Sequence, residues 1–245
     1  MSKYLSVIIP AYNEERRIKT TLEAVFNYLS RQSYNWEVVV VSDGSKDRTV
    51  EVVSEFISNK PEISLIANTK NHGKGYVVRQ GMLQAEGQFR LFTDADNSTS
   101  IEQVEKFWPH LVEDGYDIVI GSIEIPGAEI SEQAQWYRRA LGKYSKYVIR
   151  LVAGLWNIHD TQRGFKCFTA KVAQNIFSRT KIDRFGFDIE VLALAKKIGY
   201  KIKEVPAVWN NPSGSKVNLK SYFEVLKDLL RIRFYLWFNV YGIKK

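Results

Sequence analysis

The sequence predicts an α/β protein built on a mainly parallel sheet with helices on both faces. Three observations lead there. Short, almost wholly apolar runs rich in β-branched and aromatic residues recur at Leu5–Ile9, Trp36–Val41, Ile63–Ile66, Phe89–Phe92 and Ile118–Ile120, the pattern of strands buried on both faces. Stretches with helical apolar spacing separate them, and regular strand–helix alternation builds a parallel sheet. Each of the first four runs leads into polar or flexible residues: Tyr12-Asn13-Glu14, Asp43-Gly44-Ser45, Asn71 to Gly75, and Asp94 to Asn97. Ligands of open parallel sheets bind at the carboxyl ends of the strands, so this edge is the expected site.

Taken in order, the first strand closes at Pro10, and Ala11 to Glu15 turns into a helix with apolar positions Ile18, Leu22, Val25, Phe26 and Leu29. After the second strand, Asp47 is the expected cap of a helix whose apolar face includes Val50, Val53, Phe56 and Ile57. Asn71-His72-Gly73-Lys74-Gly75 leads from the third strand into a helix through Val78, Met82 and Ala85. The fourth strand precedes a helix from Ile101 to Val112, with Ser100 and Gln103 spaced as a capping box. Beyond the fifth strand, Ser122 to Gln135 reads as a long loop over the site. Trp136 to Trp156 reads as a basic amphipathic helix and Gly164 to Phe168 as a short strand, with Thr169 capping the next helix. A further helix from Asp188 to Ile198 leads to a strand pair around Ile202 to Trp209. The tail from Leu219 to Ile243 reads as helical and carries the aromatic run Phe234 to Tyr241, which suits an interfacial anchor, packing on the body or a self-contact between copies.

At 245 residues the chain can bury a full core, and a 45% hydrophobic, 25% charged composition is that of a globular protein. The single Cys167 excludes an internal disulfide and suits a reducing compartment. With only three His beside that cysteine, a zinc site is not expected. No secretory h-region opens the sequence, and no apolar run approaches the roughly 20 residues that span a bilayer. A formal charge of +8 points to an anionic partner: nucleic acid, a phospholipid surface or a phosphorylated substrate. The strands lack the basic–aromatic platforms of nucleic-acid binders, so nucleic acid is not the expected partner.

Asp94 and Asp96 sit one residue apart at the end of a buried strand. Carboxylates there are costly unless a cation meets them, and a hard divalent ion bridged to phosphates is the simplest solution. Gly73-Lys74-Gly75 has neither the third glycine of a dinucleotide fingerprint nor a Walker pattern; it fits a turn, or a loop that lets Lys74 meet a phosphate.

Three segments in this order, Val7 to Glu14, Val41 to Ser45 and Thr93 to Asp96, resemble the family 2 glycosyltransferases of GT-A fold. His159-Asp160-Thr161-Gln162-Arg163-Gly164-Phe165-Lys166 and Gly214-Ser215-Lys216-Val217 resemble the polyprenyl-phosphate branch, the dolichyl-phosphate β-glucosyltransferase type above all. The resemblance covers roughly residues 4 to 218. It implies a Rossmann-like GT-A catalytic domain over 1–218, an amphipathic C-terminal addition over 219–245, and inverting transfer of a hexose from a nucleotide sugar to a polyprenyl phosphate. On that resemblance Pro10, Ala11, Tyr12 and Glu14 line the nucleoside pocket, and Asp43 accepts from the base, with Lys74 and Gly75 nearby. Asp94 and Ala95 lie by the ribose, and Asp94 and Asp96 hold Mg²⁺ or Mn²⁺. Arg138 or Arg139, with Lys216, meets phosphates, and Asp160 falls at the position of the catalytic base.

Two residues depart from the family pattern: Ile123 stands where many relatives carry Arg, and Ser98 where mannosyl-transferring relatives often carry Gln. The second favours UDP-glucose over GDP-mannose as donor. The implied partners are a nucleotide sugar, a polyprenyl phosphate and an anionic membrane, and the implied location is peripheral, on a cytoplasmic membrane face. Alternatives are a mannosyltransferase using GDP-mannose and a soluble family 2 enzyme acting on a polysaccharide.

Overall fold

The computed structural model describes residues 2–130, 147–210 and 219–243. The expected alternation is present: β1 (Leu5–Ala11), α1 (Ile18–Leu29), β2 (Trp36–Asp43), α2 (Thr49–Ile57), β3 (Ile63–Asn68), α3 (Lys74–Gln84), β4 (Phe89–Thr93) and β5 (Ile118–Ser122). After β6 (Glu129–Ile130), residues 147–153 are helical (α4), followed by β7 (Phe165–Thr169), α5 (Ala170–Phe177), α6 (Phe187–Ile198), β8 (Ile202–Pro206), β9 (Val208–Trp209) and α7 (Leu219–Trp237). Seven strands form one sheet in the order β3-β2-β1-β4-β7-β5-β8. Its pairings are parallel except those of β7, which runs antiparallel between β4 and β5.

That one reversed strand positions the site. Because β7 enters the sheet at the edge where β4 leaves it, Phe165 pairs with Thr93. The segment before β7, which carries Asp160 and Gly164, therefore lies beside the segment after β4, which carries Asp94 and Asp96.

Side chains alternate across the sheet as the pleat requires. Ile8, Phe92, Ile118 and Phe168 pack with α3, α5 and α6 on one face, while Val7, Ile9, Leu91 and Cys167 pack toward α1 and Val53 of α2 on the other. Helices on both faces explain why the strands read as continuous apolar runs rather than as alternation.

Four local expectations are corrected. The stretch from Ile101 is not one α-helix: a 3₁₀ helix (Ile101–Phe107) gives way to a wider π turn (Pro109–Glu113), since Pro109 lacks the N–H that a continuous helix needs. The capping box does not form. Ser100 makes no side-chain cap, and Gln103 instead exchanges hydrogen bonds with Val208, Nε2 to the carbonyl at 2.8 Å and the amide to Oε1 at 2.6 Å. Thr169 likewise caps nothing with its side chain; the Ala170 amide donates to the Gln88 carbonyl at 2.8 Å. The strands near Ile202 to Trp209 do not pair with each other, because β8 joins β5 and β9 joins β6. Asp47 does cap α2, accepting from the Thr49 amide at 3.0 Å. The basic helix expected from Trp136 is described only from residue 147 onward.

Candidate active site

The β4 end forms the centre. Asp94 donates its amide to the Gly164 carbonyl at 3.2 Å, and its Oδ1 lies 2.6 Å from Lys74 Nζ. Lys74 reaches it because α3 starts there, immediately after Gly73 at φ +114°, a backbone region that L side chains rarely adopt. Burial by itself lowers the pKa of the Lys74 ammonium, but Asp94 and Asp188 outweigh it and hold the group above the ordinary lysine value. Asp96 accepts from the Ser98 amide at 3.0 Å through Oδ1, while its Oδ2 lies 3.8 Å from Arg17 Nη1. Arg17 is gripped in turn by Glu14, Nε to Oε2 at 2.8 Å and Nη2 to Oε1 at 2.9 Å. Each strand-end carboxylate thus meets a cation of the chain itself. Between them the Ala95 carbonyl accepts from Thr21 Oγ1 at 2.7 Å, which ties the loop to α1.

The neighbouring strand ends complete the floor. Pro10 and Ala11 close β1 opposite Val41 and Ser42 of β2. Beyond Tyr12, the Asn13 amide donates to Ser45 Oγ at 3.1 Å and the Glu14 amide to Thr49 Oγ1 at 2.8 Å, lacing the β1 and β2 exits together. Asp43 is buried and acts as a hub: Oδ1 accepts from the His72 amide at 2.7 Å, and Oδ2 from the Gly73 amide at 2.9 Å and Asn71 Nδ2 at 2.8 Å. It fixes the loop that delivers Lys74 and Gly75, a job the sequence did not reveal.

Asp160 arrives at the same edge from the β7 side. It is buried, and Oδ2 accepts from the Ile123 amide at 3.2 Å and from Arg163 Nε at 3.4 Å. Ile123, which lacks the side chain of its family position, thereby contributes through its backbone. Glu204 of β8 fixes the turn, accepting from the Asp160 amide at 2.9 Å and from the His159 amide and Nδ1, each at 2.8 Å. Arg163 also lies over the Trp209 ring, 4.8 Å from its centroid. Arg138, Arg139 and Lys216 lie outside the described residues.

With that geometry in view, residues 6–177 match the family described as glycosyl transferase family 2. The chain belongs to that family. This glycosyltransferase is 35% identical over 98% of its length to a dolichyl-phosphate β-glucosyltransferase of Trichomonas vaginalis, covering 76% of that protein. It is 33% identical over 95% of its length to the Homo sapiens dolichyl-phosphate β-glucosyltransferase, covering 75% of it. Among solved structures, glucosyl-3-phosphoglycerate synthase from Mycobacterium tuberculosis in complex with Mn²⁺, UDP and phosphoglyceric acid superposes with a TM-score of 0.67 at 16% identity, over 99% of this chain and 80% of that one. That likeness shows the GT-A fold.

The donor set suits a hard divalent ion. Asp94 and Asp96 offer carboxylate oxygens, and among the described residues no third His, Cys, Asp or Glu joins them in a closed cage. Mg²⁺-type sites of this kind take one or two carboxylates and complete their shell with substrate phosphates and water.

Sequence alone gives no role to Arg17, Arg163, Glu204, Lys166 or Asp188. Arg17 had a local signal, standing three residues after Glu14 at helical spacing. Glu204 had none, since it reaches Asp160 from 44 residues away.

Proposed function

We propose that this chain transfers glucose from UDP-glucose to a polyprenyl or dolichyl phosphate, with inversion, at a membrane surface and with Mg²⁺ or Mn²⁺. The observation that carries the reading is the meeting of Lys74, Asp94 and Asp96 at the β4 exit with Asp160 and Arg163 beside them. The names of the relatives, dolichyl-phosphate β-glucosyltransferases, support glucose as the sugar and dolichyl phosphate as the acceptor.

Asp94 and Asp96 would hold the metal, which when bound neutralises charge on the departing diphosphate. Lys74 adds a preorganised cation for the same charge. Tyr12, Glu14, Pro10, Ala11 and Ala95 line the nucleoside side. Asp43 Oδ1 takes one hydrogen bond, from His72, and retains capacity for a donor on the base. A phosphomonoester with a second pKa near 6 is already largely dianionic at neutral pH, so the acceptor needs alignment more than deprotonation. Asp160 supplies that alignment by holding Arg163, with Arg138, Arg139 and Lys216 as further phosphate contacts.

The membrane side of the proposal rests on α7. Leu229 and Ile232 anchor it in the core, and Tyr241 beyond it is buried, while Phe223, Leu226, Leu230, Phe234 and Trp237 form an exposed apolar stripe. Lys227, Arg231 and Arg233 flank the stripe. Such a face suits the plane of an anionic membrane interface, and no helix among the described residues is long and apolar enough to cross a membrane. Residues 219–245 thus act as a membrane-facing addition to a catalytic domain spanning 1–218. Incubation with labelled UDP-glucose, GDP-mannose and other nucleotide sugars, polyprenyl phosphate and Mn²⁺ tests the reading. A lipid-extractable product with UDP-glucose is expected, and product from GDP-mannose alone would reassign the donor.

A further inference from the structure

Beneath the site lies a further, buried ion pair. Lys166 Nζ sits 2.5 Å from Asp188 Oδ1; the lysine side chain is wholly buried and the aspartate side chain 5% exposed. Lys166 Nζ also donates to the Arg163 carbonyl and stands 5.2 Å from the Phe92 ring centroid. Among apolar neighbours, a charge pair generally contributes no more stability than a packed hydrophobic pair of the same volume, so stability alone gives no reason for these two residues. Their position does. Asp188 occupies the first turn of α6, and the loop before that turn clamps the start of α3. Tyr76 donates its amide to the Asp183 carbonyl at 3.0 Å, and Arg79 pairs with Asp183 at 2.6 Å. A Cβ on Gly75 would lie 2.5 Å from the Ile182 carbonyl oxygen and 2.6 Å from Phe187 Cβ, so the two backbones touch. Lys74 Nζ consequently lies beside the first turn of α6, 6.0 Å from the ring centroid of Phe187, the residue before Asp188. Asp188 is the second carboxylate that acts on the Lys74 ammonium.

We infer that Asp188, held by Lys166, is a positioning residue for Lys74. It is the fixed counter-charge that keeps the ammonium aimed at the donor diphosphate once Asp94 turns to the donor and its metal. Lys74 thus has two carboxylates with separate jobs. Asp94 is at the ligand surface and changes partners. Asp188 is beneath it and does not. This inference rests on the donor-site reading proposed above.

The test is calorimetry of UDP binding in Mn²⁺ with the full chain, together with donor and acceptor kinetics. Asp188→Asn is expected to weaken UDP binding and raise the donor KM about tenfold, leave the KM for polyprenyl phosphate unchanged, and add little to the defect of Lys74→Met in the double variant. Asp188→Glu restores part of the loss. The paired replacement Lys166→Met with Asp188→Leu removes both charges while keeping an apolar fill; it is expected to retain the melting temperature and still show the donor defect. Wild-type UDP affinity and turnover in that folded double variant would make the pair purely structural and overturn the inference. If the double variant does not fold, additive losses for Lys74→Met and Asp188→Asn overturn it equally. Absence of UDP binding by the wild-type protein would overturn the donor reading and this inference together, a result distinct from normal wild-type binding with an unaffected Asp188→Asn.

Discussion

Gly164 packs against Asp94 so closely that a Cβ at residue 164 would lie within 2.5 Å of the Asp94 carboxylate. The glycine just before β7 is required by close approach rather than by turn geometry, and the partner it would strike is a proposed metal ligand. Gly164→Ala is therefore expected to push Asp94 off Lys74 and lower kcat/KM by about 100-fold or more. The stability cost is expected to stay within about 1–3 kcal/mol, because a side-chain end, not backbone, must yield. Steady-state kinetics and thermal melts check both halves.

Asp96 is the less closely paired of the two strand-end carboxylates, engaged by one amide and a 3.8 Å approach of Arg17, where Asp94 meets Lys74 at 2.6 Å. Asp96→Ala is expected to abolish metal-dependent UDP binding and to reduce turnover by about 10²–10³-fold. Titration calorimetry with Mn²⁺ and with excess chelator is the measurement; equal nucleotide affinity in both would remove the metal from the mechanism.

Asp160 keeps its shape as Asn but loses the charge that holds Arg163. Asp160→Asn is expected to lower kcat by about 10²-fold with UDP affinity unchanged. An orienting role predicts that the loss is the same from pH 6 to 8, whereas a base that serves the phosphate monoanion predicts a loss that shrinks as pH rises and the dianion fills.

Trp237 and Phe238 are 73% and 66% exposed, and they test the membrane face better than truncation of the tail. A deletion from Phe234 also removes Tyr241, which is buried and donates through its hydroxyl to Glu190 Oε1 at 2.8 Å. Trp237→Ser with Phe238→Ser is expected to lower partition onto anionic vesicles by about tenfold or more, with the melting temperature unchanged. Unaltered sedimentation with vesicles would count against α7 as the anchor.

Glu37 gives a pH prediction away from the site. Burial raises the Glu37 carboxyl, but Lys3 at 2.6 Å, the Ser6 hydroxyl and the Glu86 amide at 2.7 Å outweigh it, and the net pKa lies below the ordinary 4.5. With the folded value depressed, this stabilisation is complete above pH 4.5 and is lost as pH falls through the folded pKa. Glu37→Gln is expected to cost about 1–3 kcal/mol at neutral pH, or about 2–4 °C in melting temperature per kcal/mol. Melts of both proteins from pH 7 to 3 are expected to converge at the acid end.

Sequence alone was enough for the seven strands of the main sheet, the order in which their ends carry chemistry, and the edge where that chemistry gathers. These are local properties: apolar period, turn residues and Asp94 and Asp96 after a buried run are all written within a few positions. Tertiary structure decided what meets them. Arg17 reaches Asp96, Glu204 fixes Asp160, Gln103 abandons a local cap for Val208, and Asp43 spends its oxygens on the loop of Lys74. Those choices depend on the sheet order: β1 beside β4 brings Arg17 to Asp96, β2 beside β3 brings Asp43 to the loop of Lys74, and β7 inserted antiparallel between β4 and β5 brings Asp160 to the same edge. A pairing between segments about 75 residues apart leaves no periodic trace in either one, and so the partners of the site's carboxylates became visible only once the chain was folded.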